Sequence, residues 1–252
     1  DSSYLDAEEF RLYQQPPKDG EAEIGVVLTR RFSFVMVVAP RPGSPAEKAG
    51  LRTGDILKTI DERHTRPMPA VVAERLLRGA PGSSMKLGVL RAGADPFDVT
   101  VVRERVLPAP VQARMLEGGT GYVKVADFTP TTAEDVRTQV ETLRREGAAH
   151  MLLDLRGAAW GAPEDGAGVA EIFLQGGPVA KLVGRRMDER LLQADAARSA
   201  WSGPLAVLVN NGTAGPGEIV AAAPPAARTA NAEANDRFGR GRVGKEWHSQ
   251  GR

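Results

Sequence analysis

Leu205-Ala-Val-Leu-Val-Asn210 is a continuous apolar run that leads through Asn211-Gly-Thr-Ala-Gly-Pro-Gly217 into Glu218-Ile-Val-Ala-Ala-Ala223. The pattern predicts a strand, a tight turn and the start of a helix. At such junctions α/β enzymes place nucleophiles and oxyanion donors, because free N–H groups and the helix dipole converge there. The chemistry would be nucleophilic attack on a carbonyl, but the turn carries neither serine nor cysteine. Its one hydroxyl, on Thr213, is read as satisfying local backbone groups, and Lys245 as a solvated cation. The chain has no Gly-x-Ser-x-Gly elbow.

Other chemistries are bounded by composition. The chain has no cysteine, which removes disulfides, thiolate catalysis and thiolate zinc sites. That fits a reducing or an exported setting equally. His64, His150 and His248 are too scattered to suggest a metal cluster, so no metal and no cofactor is expected. Thirty-three Lys and Arg against 32 Asp and Glu leave a formal charge of +1, so no global field draws in nucleic acid or anionic lipid. Clusters such as Arg30 with Arg31 are read as solvated surface. No apolar run reaches the roughly 18 residues of a membrane span, and no signal segment opens the chain. The polar start, Asp1 to Phe10, reads as the middle of a longer precursor.

The elements around the turn alternate. Gly121 to Phe128 predicts a strand. A helix follows, with Thr131 and Glu134 as a capping box, Val136, Val140 and Leu143 on one face, and Gly147 as its stop. Met151 to Arg156 predicts a buried strand, then a Gly-rich turn, then an apolar helix around Val169 to Leu174. This βαβα order implies parallel strands covered by helices.

The first half reads differently. Ile24 to Leu28 and Phe32 to Ala39 are rich in β-branched and aromatic residues, as buried strands are. In Ser44-Pro-Ala-Glu-Lys-Ala-Gly50 the serine caps a short helix, Pro45 takes its first position, Glu47 completes a capping box and Gly50 supplies a left-handed stop. Leu51 to Asp61 runs into a strand, Val71 to Arg78 carries a helical stripe at Val72, Leu76 and Leu77, and Pro81-Gly82 ends it. Strands follow at Met85 to Leu90 and Phe97 to Val102. With 252 residues the chain has room for two modest cores, and 28 Gly with 18 Pro point to many turns.

Gly43-Ser-Pro-Ala-Glu-Lys-Ala-Gly-Leu-Arg-Thr-Gly-Asp55 resembles the PDZ domains of bacterial and plastid processing proteases. Asp154-Leu-Arg156 with its Gly turn, then Val-Asn-x-Gly-Thr-Ala before Glu-Ile-Val-Ala-Ala, then Phe238-Gly-Arg-Gly241, are similar in that order to the tail-specific protease core. The chain is thus similar to the carboxyl-terminal processing peptidases, a PDZ domain followed by an α/β core that uses a Ser/Lys dyad. The resemblance implies a lead segment over 1–19, a PDZ domain over 20–106 and the α/β core over 107–252. That core stops before the family's closing strands, so it is expected to be truncated or completed by a partner.

The resemblance also locates the chemistry. In the family the turn reads Ser-Ala-Ser-Ala-Ser-Glu-Ile, and its middle serine, three residues before the glutamate, is the nucleophile; Gly215 stands there. The general base is the lysine of Phe-Gly-Lys-Gly, where this chain has Arg240. Arginine stays protonated and cannot accept a proton. The spacing between the two positions matches the family's, and a glutamine four residues after the lysine is replaced by Gly244. One oxyanion donor would be the N–H of the residue after the nucleophile, here Pro216, which has none. The other lies in the turn after Asp-Leu-Arg, where Trp160, beside Gly161, replaces a glycine and works against close backbone approach.

The implied reading is a homologue without catalytic residues that binds C-terminal peptides or unfolded proteins. The cradle for the peptide carboxylate would be the loop entering Ile24-Gly25-Val26-Val27. The alternatives are an active serine endopeptidase cutting near protein C-termini, or a scaffold subunit of an active paralogue in a homo- or hetero-oligomer. An exported location follows from the resemblance alone.

Overall fold

A computed structural model describes residues 4–15, 20–184, 187–223 and 228–231. The chain divides between Leu107 and Pro108 into two compact units.

The first unit opens with α1 (Ala7–Gln14), whose N-terminus is closed by a reciprocal capping box between Asp6 and Glu9. The lead segment is therefore partly helical, which its polar composition did not suggest. Next come β1 (Val26–Arg31), β2 (Phe34–Pro40), α2 (Pro45–Lys48), β3 (Ile56–Ile60), β4 (Arg63–His64), α3 (Ala70–Leu76), β5 (Ser84–Leu90) and β6 (Phe97–Val102). The strands form one antiparallel sheet in the order β1-β2-β3-β5-β6, with β4 on β3. Along β2 burial alternates strictly, so Val35, Val37 and Ala39 point into a core shared with Ile24, Leu57, Leu87, Val89 and, from α3, Val72 and Ala73.

The first hairpin corrects the sequence reading. Phe32 and Ser33 are turn residues with φ +48 and +66, so β2 starts at Phe34 and Phe32 is exposed. Two consecutive left-handed residues make the kind of turn whose twist suits a two-residue hairpin, even without glycine. Asp61 and Glu62 repeat the device between β3 and β4. The capping of α2 is as expected at Ser44, whose Oγ accepts the Glu47 N–H, while the Glu47 carboxylate reaches back to the N–H of Gly43. Buried charges are matched: Asp55 receives two 2.7 Å hydrogen bonds from Arg91, and the Arg103 guanidinium donates to the Leu76 and Leu77 carbonyls at the end of α3.

The second unit contains β7 (Gln112–Leu116), β8 (Thr120–Lys124), α4 (Thr132–Arg145), β9 (His150–Asp154), α5 (Pro163–Glu171), a hairpin of β10 (Gly177–Gly184) and β11 (Met187–Ala194), a 3-10 turn at Ala196–Arg198, β12 (Leu205–Val209), α6 (Pro216–Ala222) and β13 (Arg228–Asn231). The main sheet runs β13-β12-β9-β8-β7, parallel except for β7. Val136, Val140 and Leu143 of α4 and Val169 of α5 pack on Val123, Met151, Leu153 and Val207 of the sheet, as the helical spacing predicts.

Two details differ. The expected capping box at Thr131 is not made: Thr131 already has helical backbone angles, and Thr132 Oγ1 instead accepts the Thr129 N–H at 2.9 Å. The apolar helix lies earlier than Val169 to Leu174, because Pro163 fits the first helical position and starts it there.

Candidate functional site

The three loops that follow β8, β9 and β12 meet at the carboxyl ends of the parallel strands, where open α/β sheets bind ligands. The turn after β12 is tied to the loop after β9 by Asn210, whose Oδ1 accepts the Gly157 N–H at 2.9 Å and the Gly212 N–H at 3.0 Å. Sequence reasoning did not single out Asn210; an Asn opening a tight turn was the available signal. Thr213 is consumed locally, as expected: its hydroxyl donates to the Leu155 carbonyl at 2.8 Å and accepts the Asn210 N–H at 3.1 Å.

Gly215 caps α6 with φ +54 and ψ −118, a conformation that residues with a Cβ adopt only under strain. Space is not what excludes a side chain there, since an added Cβ would find only the Ala159 carbonyl oxygen at 4.0 Å. The turn thus keeps the sharp strand-to-helix shape of a nucleophile turn.

Its amides are another matter. The N–H of Thr213 bonds to the Asn210 carbonyl and that of Ala214 to the Ala158 carbonyl. Gly215 N–H donates to Glu218 Oε2 at 3.1 Å. Pro216 has no N–H, and those of Gly217 and Glu218 return to the Ala214 and Gly215 carbonyls. With Gly212 held by Asn210, every position from 212 to 218 either lacks an amide proton or has it engaged within the chain.

The loop after β9 presses against this turn. A Cβ on Gly217 would lie 2.3 Å from the Ala158 oxygen, and one on Gly166 of α5 would meet Pro216 at 2.6–2.8 Å. Close backbone approach survives the tryptophan, contrary to the expectation. Trp160 turns its carbonyl to the Phe128 N–H at 2.8 Å, and Gly161, at φ +119, sits against the Phe128 backbone. Just before this loop Asp154, fully buried, accepts the Tyr122 hydroxyl (2.7 Å) and the Arg156 guanidinium (2.9 and 2.6 Å) and N–H (3.0 Å). Burial, the largest influence, pushes this carboxyl up; Arg156 and Tyr122 together outweigh it and hold it below the ordinary range. Arg240, Gly244 and Lys245 lie outside the described residues, as does His248. Among the described residues no group of His, Asp and Glu could hold a metal ion, and no helix is long and apolar enough to cross a membrane.

In the first unit β1 is the end strand of its sheet and, among the described residues, pairs only with β2, so its other edge carries backbone groups directed away from the sheet. α3 packs beside it. The loop that enters β1 is built on Gly25, at φ +73, where a Cβ would strike Ser44 at 2.5 Å. The Ile24 and Gly25 carbonyls accept the N–H groups of Ala46 and Arg41, which pins the loop to the α2 segment. The Ile24 side chain is fully buried, so only its backbone is available to a ligand; Val26 and Val27 are half-buried.

Comparison with known proteins decides the family. Residues 119–244 match Peptidase family S41, and residues 36–91 match a PDZ domain. The chain belongs to peptidase family S41. Its fold is accordingly a PDZ domain followed by an S41 core. Among S41 relatives it is 29% identical to the carboxy-terminal processing protease CtpA of Bacillus subtilis over 88% of this chain and 48% of that protein. It is 32% identical to the chloroplastic carboxyl-terminal-processing peptidase 2 of Arabidopsis thaliana, over 83% and 42%. The solved photosystem II D1 C-terminal processing protease superposes with a TM-score of 0.79 and 26% identity, over 89% of this chain and 64% of that one. The chain spans about half the length of the curated S41 relatives it matches.

Proposed function

We propose that this S41 chain binds the C-terminal segments of proteins through its PDZ domain and does not cleave them. The observation that carries the non-cutting half is the turn at Gly212 to Glu218. The nucleophile position, Gly215, has no side chain to acylate, and no amide of the turn remains to hold an oxyanion. Loss of one such donor alone typically removes about 2.7–4 kcal/mol of transition-state stabilisation. Arg240 at the base position adds a third deficit, because a guanidinium does not take up a proton. The binding half rests on the free edge of β1 and the glycine-built loop at its start, the elements that strand addition and carboxylate capture require. The names of the relatives supply the substrate class, protein C-termini.

Titration with a ten-residue peptide tests the binding half: the free-carboxylate form is expected to bind and its C-terminal amide to bind at least about tenfold more weakly. Equal affinities, or none for either, would sink the reading. The other half is tested by Gly215→Ser with Arg240→Lys, which should restore no turnover of an unfolded protein while Pro216 remains. Cleavage by this double variant, or by the unsubstituted chain, would overturn the oxyanion argument.

A further inference from the structure

Strands β3 to β6 of the first unit build a hollow to which β1 contributes nothing. Along β3 and β5, Leu57 pairs with Val89 and Thr59 with Gly88, so Lys58 is an extra residue that bulges out of the ladder. Thr59 faces His64 on β4, and Gly88 faces Asp98 on β6. Gly88 lies in the floor, and the absence of a Cβ there lets the Thr59 hydroxyl sit over its backbone, where a larger residue would collide with it. The hollow measures about 260 Å³. Sites for drug-sized ligands run to roughly 300–1,000 Å³, so this one suits a body little larger than an amino-acid side chain.

Pro96 and Phe97 form its apolar wall. The Phe97 ring is anchored, because the Arg91 guanidinium lies 5.0 Å from its centre and is itself held by Asp55. The polar lining consists largely of unspent donors. Thr59 Oγ1 accepts the Gly88 N–H at 3.1 Å, and among the described residues nothing accepts its own proton. Lys58 and His64, both exposed, make no side-chain hydrogen bond or ion pair among those residues. Asp98, the one acid in the lining, is paired with Lys86 at 2.8 Å. An ammonium, a hydroxyl proton and an imidazole N–H together suit an acceptor that carries negative charge. The wall suits a carbon body beside that charge, and the Asp98 carboxylate disfavours a dianion such as phosphate. We propose that this hollow binds a small organic monocarboxylate, its carboxylate against Lys58, Thr59 and His64 and its apolar body on Phe97. The inference stands apart from the groove reading above.

The test follows amide NMR signals of the isotope-labelled full chain during titration with 3-phenylpropionate, its primary amide and inorganic phosphate. 3-Phenylpropionate is expected to shift the Thr59 and Gly88 signals with a Kd of about 1–10 mM, as suits a ligand of this size. The amide and phosphate should bind at least about fivefold more weakly. Lys58→Gln, at an exposed position, should weaken the acid at least about threefold, whereas Thr59→Ser, which keeps the hydroxyl, should stay within about twofold of the parent. The amide spectrum of each variant checks its fold. Gly25 and Val26 report the carboxylate loop separately, so shifts confined to them would overturn the inference and leave the groove standing. Equal binding of acid and amide, or an affinity unchanged in folded Lys58→Gln, would overturn it too. Tighter binding by a five-residue peptide with capped ends and a central Glu would make the hollow a docking point for protein segments, and the small-ligand assignment would fall.

Discussion

Arg156→Met is expected to destabilise the S41 core by about 3–5 kcal/mol, more than removal of its buried partner. The asymmetry follows from exposure. The Arg156 side chain is 44% exposed and Asp154 is fully buried. Asp154→Asn frees an arginine that can turn into water, and loses hydrogen bonds for about 1–3 kcal/mol. Arg156→Met instead strands a carboxylate in the interior with only the Tyr122 hydroxyl and the N–H of residue 156 against its burial.

The two states also respond oppositely to acid. In the parent chain Asp154 titrates below its unfolded value of about 3.9, so its contribution is present above that pH and lost as the pH falls through the folded value. In Arg156→Met burial dominates and the folded value rises, so the variant loses stability as the pH climbs above about 4. The stability gap should therefore be widest near pH 7 and narrow towards pH 3. Denaturant titration followed by tryptophan emission reads the core, because Trp160 and Trp201 belong to the second unit and the first unit holds no tryptophan. A gap that widens in acid would refute the assignment.

Gly161→Ala is expected to cost a further large amount, about 3–5 kcal/mol. Its φ of +119 lies where residues with a Cβ carry about 1–3 kcal/mol of strain, and the added Cβ would lie 2.2 Å from the Phe128 carbonyl oxygen, which is backbone and cannot swing aside. Gly157→Ala provides the control: it also has positive φ, +75, but an added Cβ meets nothing within 4 Å. It should lose only about 1–2 kcal/mol. Similar losses in the two variants would show that contact with Phe128 is not what fixes Gly161.

Regular elements with a buried stripe were legible in the sequence. Val136, Val140 and Leu143 placed α4, the run Leu205 to Val209 placed a strand, and Ser44-Pro45 placed the start of α2, because each pattern has one mechanical solution. The β10–β11 hairpin was missed, since its apolar residues are interleaved with charges, as in the Lys181–Glu189 pair, and Leu191 and Val183 stay exposed. β7 was missed for a similar reason. Non-glycine left-handed turns at Phe32-Ser33 and Asp61-Glu62 were invisible, because their conformation is imposed by the paired strands rather than by local preference. At the site, motif spacing pointed to Gly215 and Pro216, which the structure places at the start of α6. Of the amide pairings around them, those to Asn210 and Glu218 are local to the turn, whereas that of Ala214 to the Ala158 carbonyl crosses to the loop after β9, which no local pattern encodes.

The backbone of Gly215 has a consequence for how a chain of this kind persists. A serine at φ +54 and ψ −118 would hold the fold under tension, tolerated for as long as cutting is selected. Glycine relaxes that tension, and proline at the next position further limits the unfolded chain. On the non-cutting reading proposed above, stability and activity do not compete at this turn, and Gly215 and Pro216 both make it easier to keep folded.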